Sequence, residues 1–141
     1  MEPNSANSIK PFETLQDVFN VAYRGLAAQG FVQANIKASD GRNYCAYRGA
    51  NETKCAIGHC IPDELVYVGP DGGQLFSITT GIRKSEDWKT LFSKISVSAL
   101  ESLQSCHDRS FQPERMKERL EEYARAYGLT VPDCSPATET A

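Results

Sequence analysis

The chain has 141 residues, enough for one domain with its own apolar core and no need of disulfides or metal to hold it. Its formal net charge of −3 gives no bulk attraction to nucleic acid or to an anionic membrane, so any basic site has to be local. No apolar run approaches membrane-spanning length, and the polar opening MEPNSANSIK lacks the apolar segment of a signal peptide, so neither a membrane nor export is expected. Five cysteines, an odd number, then point to reduced thiols in a cytosol.

Residues 1–11 read as a loose arm, 12–131 as a single globular domain, and 132–141, which include Cys134, as a disordered tail. Thr14 opens a helix with Asp17 as its capping partner, and Leu15, Val18, Phe19, Ala22 and Leu26 share one face. Gly30 supplies the left-handed stop, and Phe31 is placed to fold back over the last turn. Val32 to Lys37 is ambiguous between strand and loop. Ser39-Asp40-Gly41-Arg42 is a turn. Tyr44 to Arg48 alternates and reads as a strand, residues 49–53 as a hairpin loop, and Lys54 to Ile57 as the returning strand. Gly58 breaks that strand, and Pro62-Asp63-Glu64 starts a short helical turn.

Gly69 to Gly73 is a flexible loop, and Leu75 to Ile82 alternates as a third strand. Ser85 caps a second helix with Trp88, Leu91, Phe92 and Ile95 as its apolar stripe. Ser98 and Glu101 form a capping box for a third, on which Leu100, Leu103 and His107 share a face. Pro113 takes the first position of a fourth, with Phe111 and Met116 at staple spacing. Met116, Leu120, Tyr123, Ala124 and Tyr127 line its inner face before Gly128. The expected fold class is α+β: a small central antiparallel sheet, with its hairpin near 43–57, between an N-terminal helix and a helical C-terminal half.

Two segments, CAYRGANETKCAIGHCIPDE near the middle and LQSCHD at Leu103 to Asp108, resemble a family of small proteins encoded mostly by tailed bacteriophages and prophages. Its pattern is a YRG…KCAIGxxIPDE core with a later LQxxHD. The resemblance covers roughly residues 12 to 129, and the chain departs from the pattern between Val66 and Ile82, where its loop is longer. The family has no settled activity. The resemblance implies a phage accessory protein in the host bacterial cytoplasm, of a kind that counters host defence by blocking a host protein or by holding a nucleotide signal.

The residues that carry chemistry are sparse. Cys45, Cys55, His59, Cys60, Cys106 and His107 are zinc-ligand types, but no two close pairs announce a knuckle, and Cys45 and Cys55 fit small buried hydrophobes. No metal and no cofactor are therefore expected. Cys60 or Cys106 with His59 or His107 has no local signature of a thiol catalyst. His107-Asp108 lacks the further ligands of a two-metal hydrolase, and His107 lies on an apolar stripe. The glycines at 69–73 lack the ending of a phosphate loop.

The basic pair is different. If residues 49–53 close a hairpin, Arg48 and Lys54 face each other, with Tyr44 on the same strand face. Like charges directly opposite destabilise a sheet unless an anion lies between them or both splay into water. The predicted ligand-binding residues are Tyr44, Arg48, Lys54 and His59, with no catalytic set. The expected function is a non-enzymatic, anti-defence protein that sequesters a small anionic, nucleotide-type immune signal. The alternative is a protein-binding inhibitor of a host defence factor, marked by an exposed apolar patch, with a metal- or thiol-dependent hydrolase behind both. A homo-oligomer would suit ligand binding, because small proteins often build pockets where two copies meet.

Overall fold

α1 (Leu15–Ala28) begins at a reciprocal cap: Thr14 Oγ1 accepts the Asp17 N–H at 3.2 Å, and the Asp17 carboxylate accepts the Thr14 N–H at 3.3 Å. It ends at Gly30, whose φ of +78° lets the Phe31 N–H reach back to the Leu26 carbonyl at 2.7 Å. Phe31 then lies edge-on to Tyr23, with ring centroids 5.4 Å apart. A computed structural model of the chain describes residues 10–37, 41, 43–45, 48–49, 52–65, 78–110 and 112–133. The expectations for most of the N-terminal arm, the 69–73 loop, Phe111 and most of the C-terminal tail fall outside these residues.

The architecture is helical, which corrects the α+β fold with a central sheet. Among the described residues, the strand pairing is one antiparallel pair, β1 (Asn35–Lys37) with β2 (Asn43–Cys45), and a single isolated bridge between Arg48 and Lys54. The returning strand expected at 54–57 does not extend past that bridge. Cys55, Ala56 and Ile57 are all buried, so no alternation separates two faces there. The chain instead coils into a 3₁₀ turn, Ile57–Cys60, and after Pro62 into a second, Asp63–Leu65.

Among the described residues, the third strand expected at Leu75 to Ile82 is likewise not formed. α2 (Ile78–Lys84) occupies most of that stretch, with Ile78 buried and Ile82 partly buried. Residues four apart satisfy a period of 2 and a period near 3.6 equally well, and packing against α3 and α4 decides for the helix.

α3 (Glu86–Leu91) starts where Ser85 Oγ accepts the Trp88 N–H, and the Trp88 indole N–H donates to the Leu65 carbonyl at 2.8 Å. α4 (Val97–Asp108) is capped by Ser96 rather than Ser98: Ser96 Oγ accepts the Ala99 N–H at 3.3 Å. Its stripe of Leu100, Leu103 and His107 is fully buried. α5 (Pro113–Ala126) packs against it, and the Tyr123 hydroxyl donates to the Ala99 carbonyl at 2.8 Å. Val18, Phe19, Ala22 and Leu26 of α1, Ile57 and Ile61 of the turns, and Trp88, Leu103, Met116 and Leu120 of the later helices make one continuous core. No described helix is long and apolar enough to cross a membrane.

Candidate functional site

Gln29 is the C-cap of α1, and its side-chain amide organises the segment that returns over the helix end. Gln29 Nε2 donates to the Val32 carbonyl at 2.9 Å and the Lys54 carbonyl at 2.8 Å, while Oε1 accepts the Lys54 N–H at 3.1 Å. These backbone partners settle which end of the amide is which. His59 Nε2, 3.0 Å from the same Oε1, must therefore be the donor, and the neutral ring carries its proton on Nε2 and its lone pair on Nδ1. The ring lies over Gly25 in α1, where a Cβ would overlap Nδ1 and Cγ. Burial, then the charges of Lys54 and Arg48, lower the His59 pKa to about 4.

Arg48 stands across the bridge from Lys54, but its guanidinium turns toward the 3₁₀ turns. Nη1 donates to the Gly58 carbonyl at 2.8 Å and Nη2 to the Ile61 carbonyl at 2.6 Å. The Nε–Nη2 edge meets the Asp63 carboxylate, at 2.8 and 2.7 Å. Lys54 Nζ reaches the same Asp63 oxygen at 3.8 Å. The Arg48 hydrogen bond and charge, then Lys54, hold the Asp63 carboxyl below the usual carboxylate range. The next residue, Gly49, approaches the β1 end of the chain so closely that a Cβ would lie 2.7 Å from the Ala34 Cα.

Arg48, Lys54 and His59 thus line one open groove of about 640 Å³, together with Gly25, Gln29, Glu52, Thr53 and Asp63. Tyr44 is in β2 by its backbone, and its side chain lies outside what is described. The groove carries two cations and two carboxylates. Asp63 occupies the place between Arg48 and Lys54 where the sequence reading puts a ligand anion. Gln29 and Asp63 are the groove residues that pattern reasoning missed. A glutamine at a helix end has no motif, and the pairing of Asp63 with Arg48 depends on the unforeseen 3₁₀ turns.

His107 forms a second polar cluster, inside the core. Its Nε2 accepts the Ala34 N–H at 2.9 Å, so the proton lies on Nδ1, which donates to Asp108 Oδ1 at 2.8 Å. Asp108 Oδ1 also accepts from Gln104 Nε2 at 2.7 Å, and Gln104 Oε1 accepts the Ile57 N–H at 2.9 Å. Gln33 Nε2 donates to the carbonyls of His107 and Asp108. The Asp–His order is that of a hydrolase dyad, but the Nε2 that would face a substrate is spent on a buried backbone amide.

The thiols are poised for packing rather than attack. Burial pushes the Cys55 thiol up to about 12 and Cys60 higher still, and raises half-buried Cys106 to about 11. Cys55 Sγ accepts the Gly58 N–H at 3.2 Å. Among the described residues, no three His, Cys, Asp or Glu side chains gather as a metal-binding set.

No family model, curated protein or solved structure matches this chain.

Proposed function

We propose that the chain is a non-enzymatic phage accessory protein whose groove over the end of α1 takes up a small anionic, nucleotide-type ligand and holds it unchanged. The observation that carries this reading is the convergence of Arg48, Lys54 and His59 on one open groove of about 640 Å³. That volume is in the ordinary range for a small-molecule site, roughly 300–1,000 Å³. Lys54 is the groove's more exposed cation, and the neutral His59 ring, seated against Gly25, lines the same groove as a surface for a base or sugar. Binding without chemistry is supported by thiols held protonated and by a His107 whose Nε2 is engaged in the core. The phage setting and the immune-signal class come from the resemblance of the YRG…KCAIGHCIPDE and LQSCHD segments.

Calorimetry of the full chain against linear and cyclic nucleotides and ADP-ribose derivatives tests the reading, alongside mass spectrometry of what copurifies from a bacterial host. Micromolar binding that Lys54→Ala weakens by about tenfold supports it. If none of these ligands binds and a host protein copurifies, the inhibitor function replaces it.

A further inference from the structure

We propose that Asp63 is a competitor built into the groove, and that the ligand displacing it presents a phosphate group rather than a single carboxylate. The proposal rests on the anion-binding reading above and names the chemistry of that anion.

Three donors converge on one atom. Asp63 Oδ1 receives Arg48 Nε at 2.8 Å and Nη2 at 2.7 Å, and Lys54 Nζ faces it from 3.8 Å, beyond hydrogen-bond reach. An arginine fork is best matched by two parallel oxygens, one for each N–H. Here both N–H groups share a single oxygen, and the lysine is left short of it. A phosphate monoester or diphosphate has three non-bridging oxygens on its terminal group. It can give one to Nε, one to Nη2 and one to Nζ. Arg48 keeps its Nη1 bond to Gly58 throughout, so the edge offered to the ligand is fixed in place.

Asp63 is suited to leave. Its side chain is 78% exposed and begins a short 3₁₀ turn behind Pro62, so rotation about its own bonds carries the carboxylate into water without moving the chain. Exposed ion pairs of this kind are weak. A free carboxylate ligand gains little by the exchange. It reproduces the contact Asp63 already makes and also bears the entropy of association, which the tethered group does not. Only an anion with more charge and more oxygens improves on what is there. The internal carboxylate therefore acts as a filter, excluding the abundant monocarboxylates and admitting phosphate-bearing ligands.

The test uses the full chain, with pyrophosphate as the probe and acetate as the carboxylate control, at constant ionic strength. Calorimetry compares the wild type with Asp63→Asn, and carbon NMR follows the Asp63 carboxyl in the wild type, which needs no variant to fold. Glu52 and His59 are neighbouring ionisable side chains of the same groove, and the NMR signals separate them from Asp63 residue by residue. Asp63→Asn should bind pyrophosphate roughly 1.4-fold to fivefold tighter, the range an exposed ion pair allows. Saturating pyrophosphate should move the Asp63 titration upward toward an ordinary carboxylate, because Arg48 has been taken from it. Acetate should do neither. Equal affinity of the two proteins with an unmoved Asp63 titration overturns the competitor and leaves the anion-binding reading standing on other groove residues. Acetate acting as well as pyrophosphate overturns the phosphate class. Absence of pyrophosphate binding to both proteins at millimolar concentration removes this proposal and the anion-binding reading together.

Discussion

Gln104 Oε1 accepts the Ile57 N–H at 2.9 Å, a bond between residues 47 apart in the chain that ties the LQSCHD helix to the KCAIGHC turn. The Ile57 side chain is fully buried and begins a 3₁₀ turn, where the first N–H groups have no partner of their own. Gln104→Ala removes that acceptor and the donor to Asp108 at once. A buried donor left unpaired costs about 1–3 kcal/mol. Denaturant unfolding should show a loss in that range, and amide exchange at Ile57 should accelerate. An unchanged midpoint with an unchanged Ile57 amide would mean that water replaces the glutamine.

Gly25 and His59 form a second pair that substitution can separate. Alanine is favoured over glycine inside a helix by about 1 kcal/mol. At position 25 that preference should be reversed, because the new methyl overlaps the imidazole. Overpacking of this sort costs roughly 1–3 kcal/mol. Gly25→Ala should therefore destabilise the chain, while Gly25→Ala combined with His59→Ala should recover most of the loss. A double-mutant cycle measures the coupling. Additive effects would show that the ring moves aside freely.

The helices that could be read from sequence are those with punctuation. Thr14 with Asp17 and Gly30 bracket α1, Ser85 opens α3, and Pro113 opens α5. The errors came where period was undecidable. Ile78 and Ile82 fit strand and helix alike, and Cys55-Ala56-Ile57 is a continuous buried run that has no period at all. The facing of Arg48 and Lys54 was foreseeable from loop length, since it is a local property of 49–53. What Arg48 does with its guanidinium was not. Its partners are the carbonyls of Gly58 and Ile61, and side chain-to-backbone bonds over such separations leave no pattern in the order of residues.

The depressed pKa of His59 makes a pH prediction with a definite sign. The unfolded chain takes up this proton near 6.5, the folded chain only near 4. Between those values the unfolded state binds more protons, so stability falls as pH drops through the window and is insensitive to His59 above it. His59→Gln cannot titrate and should flatten that part of the stability profile. NMR of the imidazole nitrogens should report Nε2–H as the neutral tautomer. A His59 that titrates near 6.5 in the folded chain would refute the burial of the ring.

Thiol reactivity follows from burial in the same way. Cys55 and Cys60 have their thiols pushed far above neutral pH, so almost none of either exists as thiolate. Alkylation at pH 8 followed by peptide mapping should leave both unmodified in the native chain and modify both in denaturant. Cys106, half-buried and raised less, should react at an intermediate rate. Rapid native labelling of Cys60 would reopen a role for it as a nucleophile beside His59.

Arg48 and Lys54 are equivalent in the strand pattern but not in the structure, and the two alanine variants should part company. Lys54 uses its backbone N–H and carbonyl to hold Gln29, contacts that an alanine retains, and among the described residues its ammonium meets only the distant Asp63 oxygen. Lys54→Ala should keep the fold and lower anion affinity. Arg48 donates to two carbonyls of the turn that carries His59 and leads to Asp63, and its side chain is only 21% exposed. Hydrogen bonds with a charged partner are worth about 1.5–3 kcal/mol each, so Arg48→Ala should destabilise the chain by a few kcal/mol. The relief of a like-charge pair, a fraction of a kcal/mol for exposed side chains, is too small to offset that. Arg48→Lys should recover little, because a single ammonium cannot span Gly58, Ile61 and Asp63 in the plane that the guanidinium does. Thermal unfolding of the three variants separates the roles. An Arg48→Ala chain as stable as the wild type would show that the 3₁₀ turns hold without their clamp, and would return Arg48 to the ligand alone.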